Sequence, residues 1–189
     1  DLHPRWDYLQ LLKLVGPDGH QGAHLEMAGR ITGTVRLGDQ RYDIDCFGHR
    51  DRSWGSRDWT TLRAVRWWSI VFGPDLAIQM TAHGHANRQH GTLGYMVRDG
   101  VPHIMTECAI SVTLDYDGIG VQSGHCDFTL ETGETFSFDH VRSNGVVLDV
   151  KNYRAVESIG TVTMNGRVAM SNIEVHNNAL GGLEPPAFV

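Results

Sequence analysis

Hydrophobic and polar residues alternate along most of this chain with a period of two, which sends successive side chains to opposite faces of a β-strand. The first clear case is 31–37, where Ile31, Gly33, Val35 and Leu37 alternate with Thr32, Thr34 and Arg36. Gly38-Asp39 then turns the chain into 41–47, with Tyr42, Ile44 and Cys46 on one face. Runs of the same texture cover 64–72, 76–83, 92–97, 109–116, 121–130, 135–140, 146–153, 158–164 and 168–175. Hairpin residues punctuate them: Gly73-Pro74-Asp75, Asp99-Gly100, Asp117-Gly118, Thr132-Gly133, Asn144-Gly145 and Asn165-Gly166. About ten strands without a central helical run predict an all-β fold, an antiparallel β-barrel or a strongly bent β-sandwich.

The exception is 5–15, where Trp6, Leu9, Leu11 and Leu12 approach helical spacing before Gly16-Pro17-Asp18-Gly19 breaks it. The expected organisation is an N-terminal arm or short helix over 1–24, a β-barrel domain over 25–178 and an extended tail over 179–189. That tail carries Gly181-Gly182 and Pro185-Pro186.

Composition narrows the function classes. The 189 residues suffice for one domain with its own core. The net charge of -6, with no lysine or arginine run, lacks the clustered basic surface of a nucleic-acid binder. No apolar run approaches the roughly 20 residues of a membrane-spanning helix. No secretory signal opens the chain, and its three cysteines are an odd number, so a reducing, cytoplasmic compartment is expected. Cys46 and Cys126, in strand-like segments, are expected to be small buried hydrophobes. The chain opens on Asp1 rather than Met, as a processed or excised chain would, so the expected partners include an N-terminal companion domain or further copies of the chain.

The densest chemistry lies in the loop Gly48-His49-Arg50-Asp51-Arg52-Ser53-Trp54-Gly55-Ser56-Arg57-Asp58-Trp59. Guanidinium groups pair with carboxylates through two parallel hydrogen bonds and stack on aromatic faces. One reading makes the segment a plug that closes a barrel. The other makes it a pocket wall in which His49 or Asp51 handles protons, Arg52 orients or stabilises charge, and Arg57, Trp54 and Trp59 hold a ligand.

Gly29 to Val35 together with Tyr42 to Trp59 resembles the hydroxyneurosporene synthase-like (carotenoid 1,2-hydratase-like) proteins. The stretch from Asn165 to Glu174 is similar to that family's last strand. The resemblance implies a lipocalin-like β-barrel, this chain matching the C-terminal of two such domains. It also implies protonation of an isolated C=C bond and addition of water, without metal or organic cofactor. The family's His-x-Trp pattern falls on Arg52-Ser53-Trp54, so the tryptophan is kept and the histidine is an arginine. A Tyr-x-Asp element expected near 79–83 has no counterpart. Arginine cannot act as a general acid at neutral pH, which moves the proton donor to His49, Asp51 or Glu174.

Glu174 shares a strand face with Asn172 and His176. If that face lines a barrel lumen, burial raises the carboxyl pKa. Trp67 and Trp68 point to opposite faces, one toward the core and one toward a pocket or the surface. His83 and His85 share a face, with His90 and His103 further along. That spacing is how cupin-type barrels hold a metal, yet no carboxylate stands where such a site needs one. The expected function is a cofactor-independent lyase, hydratase, cyclase or isomerase-type enzyme. Its substrate would be an apolar isoprenoid, polyketide or steroid-like molecule in the barrel lumen, with His83 and His85 among the lining residues and no metal bound. A non-catalytic lipocalin-like binder of a hydrophobic ligand is the alternative, and a cupin-like metal enzyme the second.

Overall fold

In the computed structural model the described residues are 6–7, 23–55, 62–85, 90–150 and 153–178. They form eleven strands: β1 (Trp6–Asp7), β2 (Ala23–Leu37), β3 (Gln40–Trp54), β4 (Leu62–Val71), β5 (Leu76–His85), β6 (His90–Arg98), β7 (Val101–Leu114), β8 (Val121–Leu130), β9 (Thr135–Val150), β10 (Tyr153–Met164) and β11 (Arg167–Asn178). From β4 to β11 each strand pairs antiparallel with the next, and β11 pairs back on β4. The result is a closed eight-stranded up-and-down barrel, the strand arrangement lipocalins also use. Of the two expected architectures, the barrel is the one adopted.

Turn chemistry explains much of the register. Asp99-Gly100 and Asn165-Gly166 both hold positive φ at each residue, the conformation of a tight two-residue hairpin. Asn144-Gly145, expected as a turn, lies inside β9 instead. There the register against β10 shifts between Ile159 and Gly160, which pair with Asn144 and Arg142, so Ser143, just before the Asn-Gly pair, is the bulged residue. Gly160 is required at that point, because a Cβ would meet the Val141 carbonyl oxygen at 2.1 Å.

The interior is filled by side chains. Trp68, Ile70, Ile78, Met80, Met96, Leu130, Phe138 and Ile173 are all fully buried. Trp68 meets Phe138 edge-on, their ring centroids 4.8 Å apart, and its indole lies over Gly124. The lumen expected to receive a ligand is thus occupied by the protein's own core. The barrel is most loosely paired between β6 and β7, where partners run only from Tyr95↔Ile104 to Arg98↔Val101.

The barrel begins at Leu62 rather than at 25. Residues 23–54 form a long ribbon, β2 against β3, in a separate sheet with β1. Its strands have the same alternation as barrel strands, but they pair only with one another and with β1. Near its tip Val35, Leu37 and Tyr42 are exposed on one face, and Arg30 forms a two-bond ion pair with Asp45 on the other. Cys46, expected to be buried, is exposed there because the ribbon reaches past the barrel. Of the N-terminal arm or short helix expected over 1–24, the described residues are Trp6 and Asp7, which pair as a strand with Glu26 and Leu25, and Ala23 and His24, which open β2. The predicted tail over 179–189 lies outside the described residues.

Candidate functional site

Alternation along β2 puts His24, Glu26 and Ala28 on one face, and pairing aligns them with Ser53, Asp51 and His49 of β3. This face meets the outer wall of the barrel at Trp67. The Trp67 indole Nε1 donates to Glu26 Oε1 at 2.7 Å, and His49 Nε2 lies 2.5 Å from Glu26 Oε2. The His49 ring also meets the Trp67 indole edge-on at 5.6 Å. His24 Nε2 stands 3.1 Å from both Glu26 Oε1 and Asp51 Oδ1. A fully buried carboxylate persists only with such partners, since unpaired it would carry the whole desolvation cost of its charge.

Burial pulls the His24 imidazolium down. Hydrogen bonds to Asp51 and Glu26, with the charges of both, outweigh it and raise the pKa to about 9. Ligand atoms of His24, Glu26 and Asp51 lie within 4.8 Å of one another, so these three could hold a metal ion. At neutral pH the His24 proton occupies that position, which makes the trio an ion-paired cluster.

A second pair of carboxyls adjoins the first. Glu174 on β11 is directly opposite Glu157 on β10 and opposite Trp67 on β4. Asn172 Nδ2 donates to Glu157 Oε2 at 2.7 Å, and Glu174 contacts His176. Burial, then the charge of Glu157 and a hydrogen bond to it, then the charges of Asp51 and Glu26, raise the Glu174 pKa to about 8. Burial, with the charge of Arg66, lowers His176 to about 4. Glu174 is therefore a neutral acid at physiological pH, beside a neutral imidazole. Its side chain is 24% exposed and that of Asp51 40%, whereas His49 is 6% exposed and Glu26 closed off. The cluster opens to solvent along its Glu174–Asp51 side.

Of the residues singled out by sequence, His49, Asp51, Glu174 and Trp67 come together, on the outer barrel wall and not in the lumen. Arg52 does not join them. It projects from the other ribbon face, where with Leu25, Met27 and Arg50 it lines a cavity of only about 40 Å³. Its guanidinium sits over the exposed Trp54 ring, 5.4 Å from the centroid. The expected loop over 48–59 is strand as far as Trp54, so alternation separates Asp51 from Arg52. Trp68 belongs to the core. His83 is half-buried on β5, opposite Val65 and outside the convergent trio. Arg57, Trp59 and the His85 side chain lie outside the described residues. Sequence reasoning missed His24, Glu26 and Glu157. The run His24-Leu25-Glu26-Met27-Ala28 carried the signal, two polar residues in strand alternation upstream of the obvious strand.

A separate cavity of about 370 Å³ lies across β7, β8 and β9, lined among others by Cys108, Asp127, Phe128 and Phe136. None of the acid cluster reaches it.

A family model described as a domain of unknown function, DUF7064, matches residues 5–179. Among curated proteins none matches the chain. A solved structure of a Nitrosomonas europaea protein provisionally named AttH superposes with a TM-score of 0.61 at 14% identity, over 87% of this chain. The overlap is 54% of that protein, so this chain spans about half of its length. At this identity the likeness concerns the fold alone. Among the described residues no helix is long and apolar enough to cross a membrane.

Proposed function

The chain belongs to the DUF7064 family, and from that premise we propose that it is a cofactor-independent acid–base enzyme of the lyase, hydratase or cyclase type. Its substrate is an apolar small molecule of isoprenoid, polyketide or steroid-like character, docked at the seam between ribbon and barrel. The observation that carries this reading is Glu174: a partly exposed carboxyl held neutral up to about pH 8, directly opposite Glu157 and near two further acids. Environments that push the pKa values of neighbouring groups apart are how one site supplies both an acid and a base.

Glu174 is the proton donor to a substrate double bond. The electron-deficient carbon that results is stabilised by the surrounding carboxylates of Asp51, Glu26 and Glu157. Asp51, on the open side of the cluster, accepts a proton either from water, completing a hydration, or from the substrate, completing an isomerisation or cyclisation. The buried His49–Glu26 pair, held by the Trp67 indole, fixes the ribbon strand that carries Asp51. Arg52 has no part in these steps. The resemblance of 42–59 to the hydroxyneurosporene synthase-like proteins supports protonation chemistry, with a lipocalin-like barrel as its frame. The exposed apolar ribbon face and the greater length of the structural neighbour support a companion domain or a second copy as partner, and the location proposed is cytoplasmic.

The test is incubation with a panel of polyene, polyketide and sterol-type compounds in D₂O, followed by mass spectrometry. Deuterium incorporation that disappears in Glu174→Gln is expected. Turnover that survives this change would refute the assignment of the acid. The passive-binder reading has one observation in its favour, the 370 Å³ cavity remote from the acids, which is within the size range of ligand sites. Binding there, unaffected by Glu174→Gln and without turnover, would support it.

A further inference from the structure

Sulfur gathers inside the barrel where β5, β7 and β8 meet. Cys126 Sγ lies 3.3 Å from Met80 Sδ, Cys108 Sγ lies 3.7 Å from Met80 Sδ, and the two thiol sulfurs are 3.6 Å apart. These three atoms come from β5, β7 and β8 and form a nearly equilateral triangle. Gly94 on β6 makes the approach feasible, because a Cβ there would lie 2.9 Å from Met80 Cβ and 2.7 Å from Met105 Sδ. In register Cys108 stands opposite Phe128 and Cys126 opposite Phe138, both apolar and buried.

From this triangle we propose that Met80, Cys108 and Cys126 form a site for a single soft monovalent cation, Cu(I) in chemical class. A point equidistant from the three sulfurs lies about 2 Å from each, a few tenths short of the roughly 2.3 Å at which thiolate sulfur binds a d¹⁰ ion. Thiolate and thioether donors together select Cu(I) over harder metals, and a three-sulfur set leaves Zn²⁺ short of its usual four ligands. Cys126 is fully buried, whereas Cys108 is half-buried and lines the 370 Å³ cavity, which gives an ion a way in from solvent. Binding displaces the two thiol protons to solvent, leaves the metal and sulfur oxidation states unchanged, and gives a complex of net charge −1 on the side facing that cavity. The site is independent of the acid cluster, which lies on the outer wall.

The full reduced chain is titrated anaerobically with Cu(I) in competition with a bathocuproine-type chelator. Retention of one equivalent per chain, with an ultraviolet thiolate-to-copper absorption, is expected. Cys126→Ser and Met80→Leu should each weaken retention at least tenfold, and Cys46→Ser, at the exposed ribbon cysteine, should leave it unchanged. Failure to retain Cu(I), retention unaltered in Met80→Leu, or loss that follows Cys46→Ser would each overturn the proposal. Met80→Leu decides the question where Cys126→Ser does not fold, since it replaces the ligand atom while keeping the side-chain volume.

Discussion

Glu157 and Glu174 face one another directly across the β10–β11 ladder, on the wall that the ribbon covers. Burial, then the charge of Glu157 and a hydrogen bond to it, favour the protonated form of Glu174. Its folded pKa of about 8 exceeds the ordinary 4.5 of the unfolded chain. Between those two pH values the folded state binds one more proton than the unfolded state, so stability falls as pH rises across the window. The contribution is complete below about pH 4.5. Urea midpoints measured across this range should decline less steeply in Glu174→Gln than in the wild type. His24, raised from 6.5 to about 9, adds a decline of the same sign over its own window and is common to both proteins. Parallel curves for the two proteins would show that Glu174 titrates normally.

The two acids differ in how they could be found. Glu174 was legible as part of a polar strand face with Asn172 and His176 and through the resemblance of the last strand, but that face lies on the outer wall opposite Trp67 rather than in the lumen, because Ile173 and Val175 take the inner side. Glu26 was not, because its significance depends on Trp67, 41 positions away, and on a ribbon that folds back over the barrel wall. Alternation specifies faces but not what each face meets, so the ribbon strands read like barrel strands. The hairpins at Asp99-Gly100 and Asn165-Gly166 were correctly marked by residues that tolerate positive φ. Asn144-Gly145 has the same chemistry but is held in the strand by regular pairing with Ile159 and Ser158 of β10, beside a bulge at Ser143. The division between Arg52 and Asp51 followed from the strand continuing to Trp54, where polar composition had suggested a loop.

Glu26 joins the ribbon to the barrel through a single buried carboxylate that binds Trp67, His49 and His24. Replacing it with alanine removes one of the two counter-charges of His24, leaving Asp51, and leaves the indole N–H without its acceptor. A loss of about 3–5 kcal/mol is expected, the range for breaking a buried charged pair. Glu26→Gln keeps an acceptor for Trp67 and should cost less. Denaturant titration measures both, and hydrogen exchange should show earlier opening of 23–54 than of the barrel in Glu26→Ala.

At the ribbon tip the expectation is the reverse. Leu37 is 72% exposed and Val35 52%, so neither side chain contributes much to the folded core of this chain. The double change Val35→Lys with Leu37→Lys should alter unfolding free energy by no more than about 0.5 kcal/mol per site, as for other exposed positions. A fall of several kcal/mol in the unfolding free energy would show that the tip is packed in solution. Sedimentation of the same variant reports whether this apolar face drives self-association.

His140 lies fully buried inside the barrel, with Nδ1 2.7 Å from Ser171 Oγ and Nε2 3.3 Å from Ser158 Oγ. Burial lowers its pKa from 6.5 to about 4, so the folded protein keeps the ring neutral where the unfolded chain would protonate it. Between those values the unfolded state binds the extra proton, and stability is lost as pH falls. His140→Leu should therefore flatten the acid side of the stability curve, although His176 retains a dependence of the same sign. At neutral pH the single change should cost about 1–3 kcal/mol, because it strands two buried hydroxyls. Adding Ser158→Ala and Ser171→Ala removes those hydroxyls and should recover part of the loss. Thermal unfolding of the single and triple variants at neutral and mildly acidic pH measures both effects. A triple variant no more stable than His140→Leu would mean that the ring stabilises the barrel by filling space beside Trp68, whose indole it meets edge-on at 5.6 Å, and not by pairing the serines.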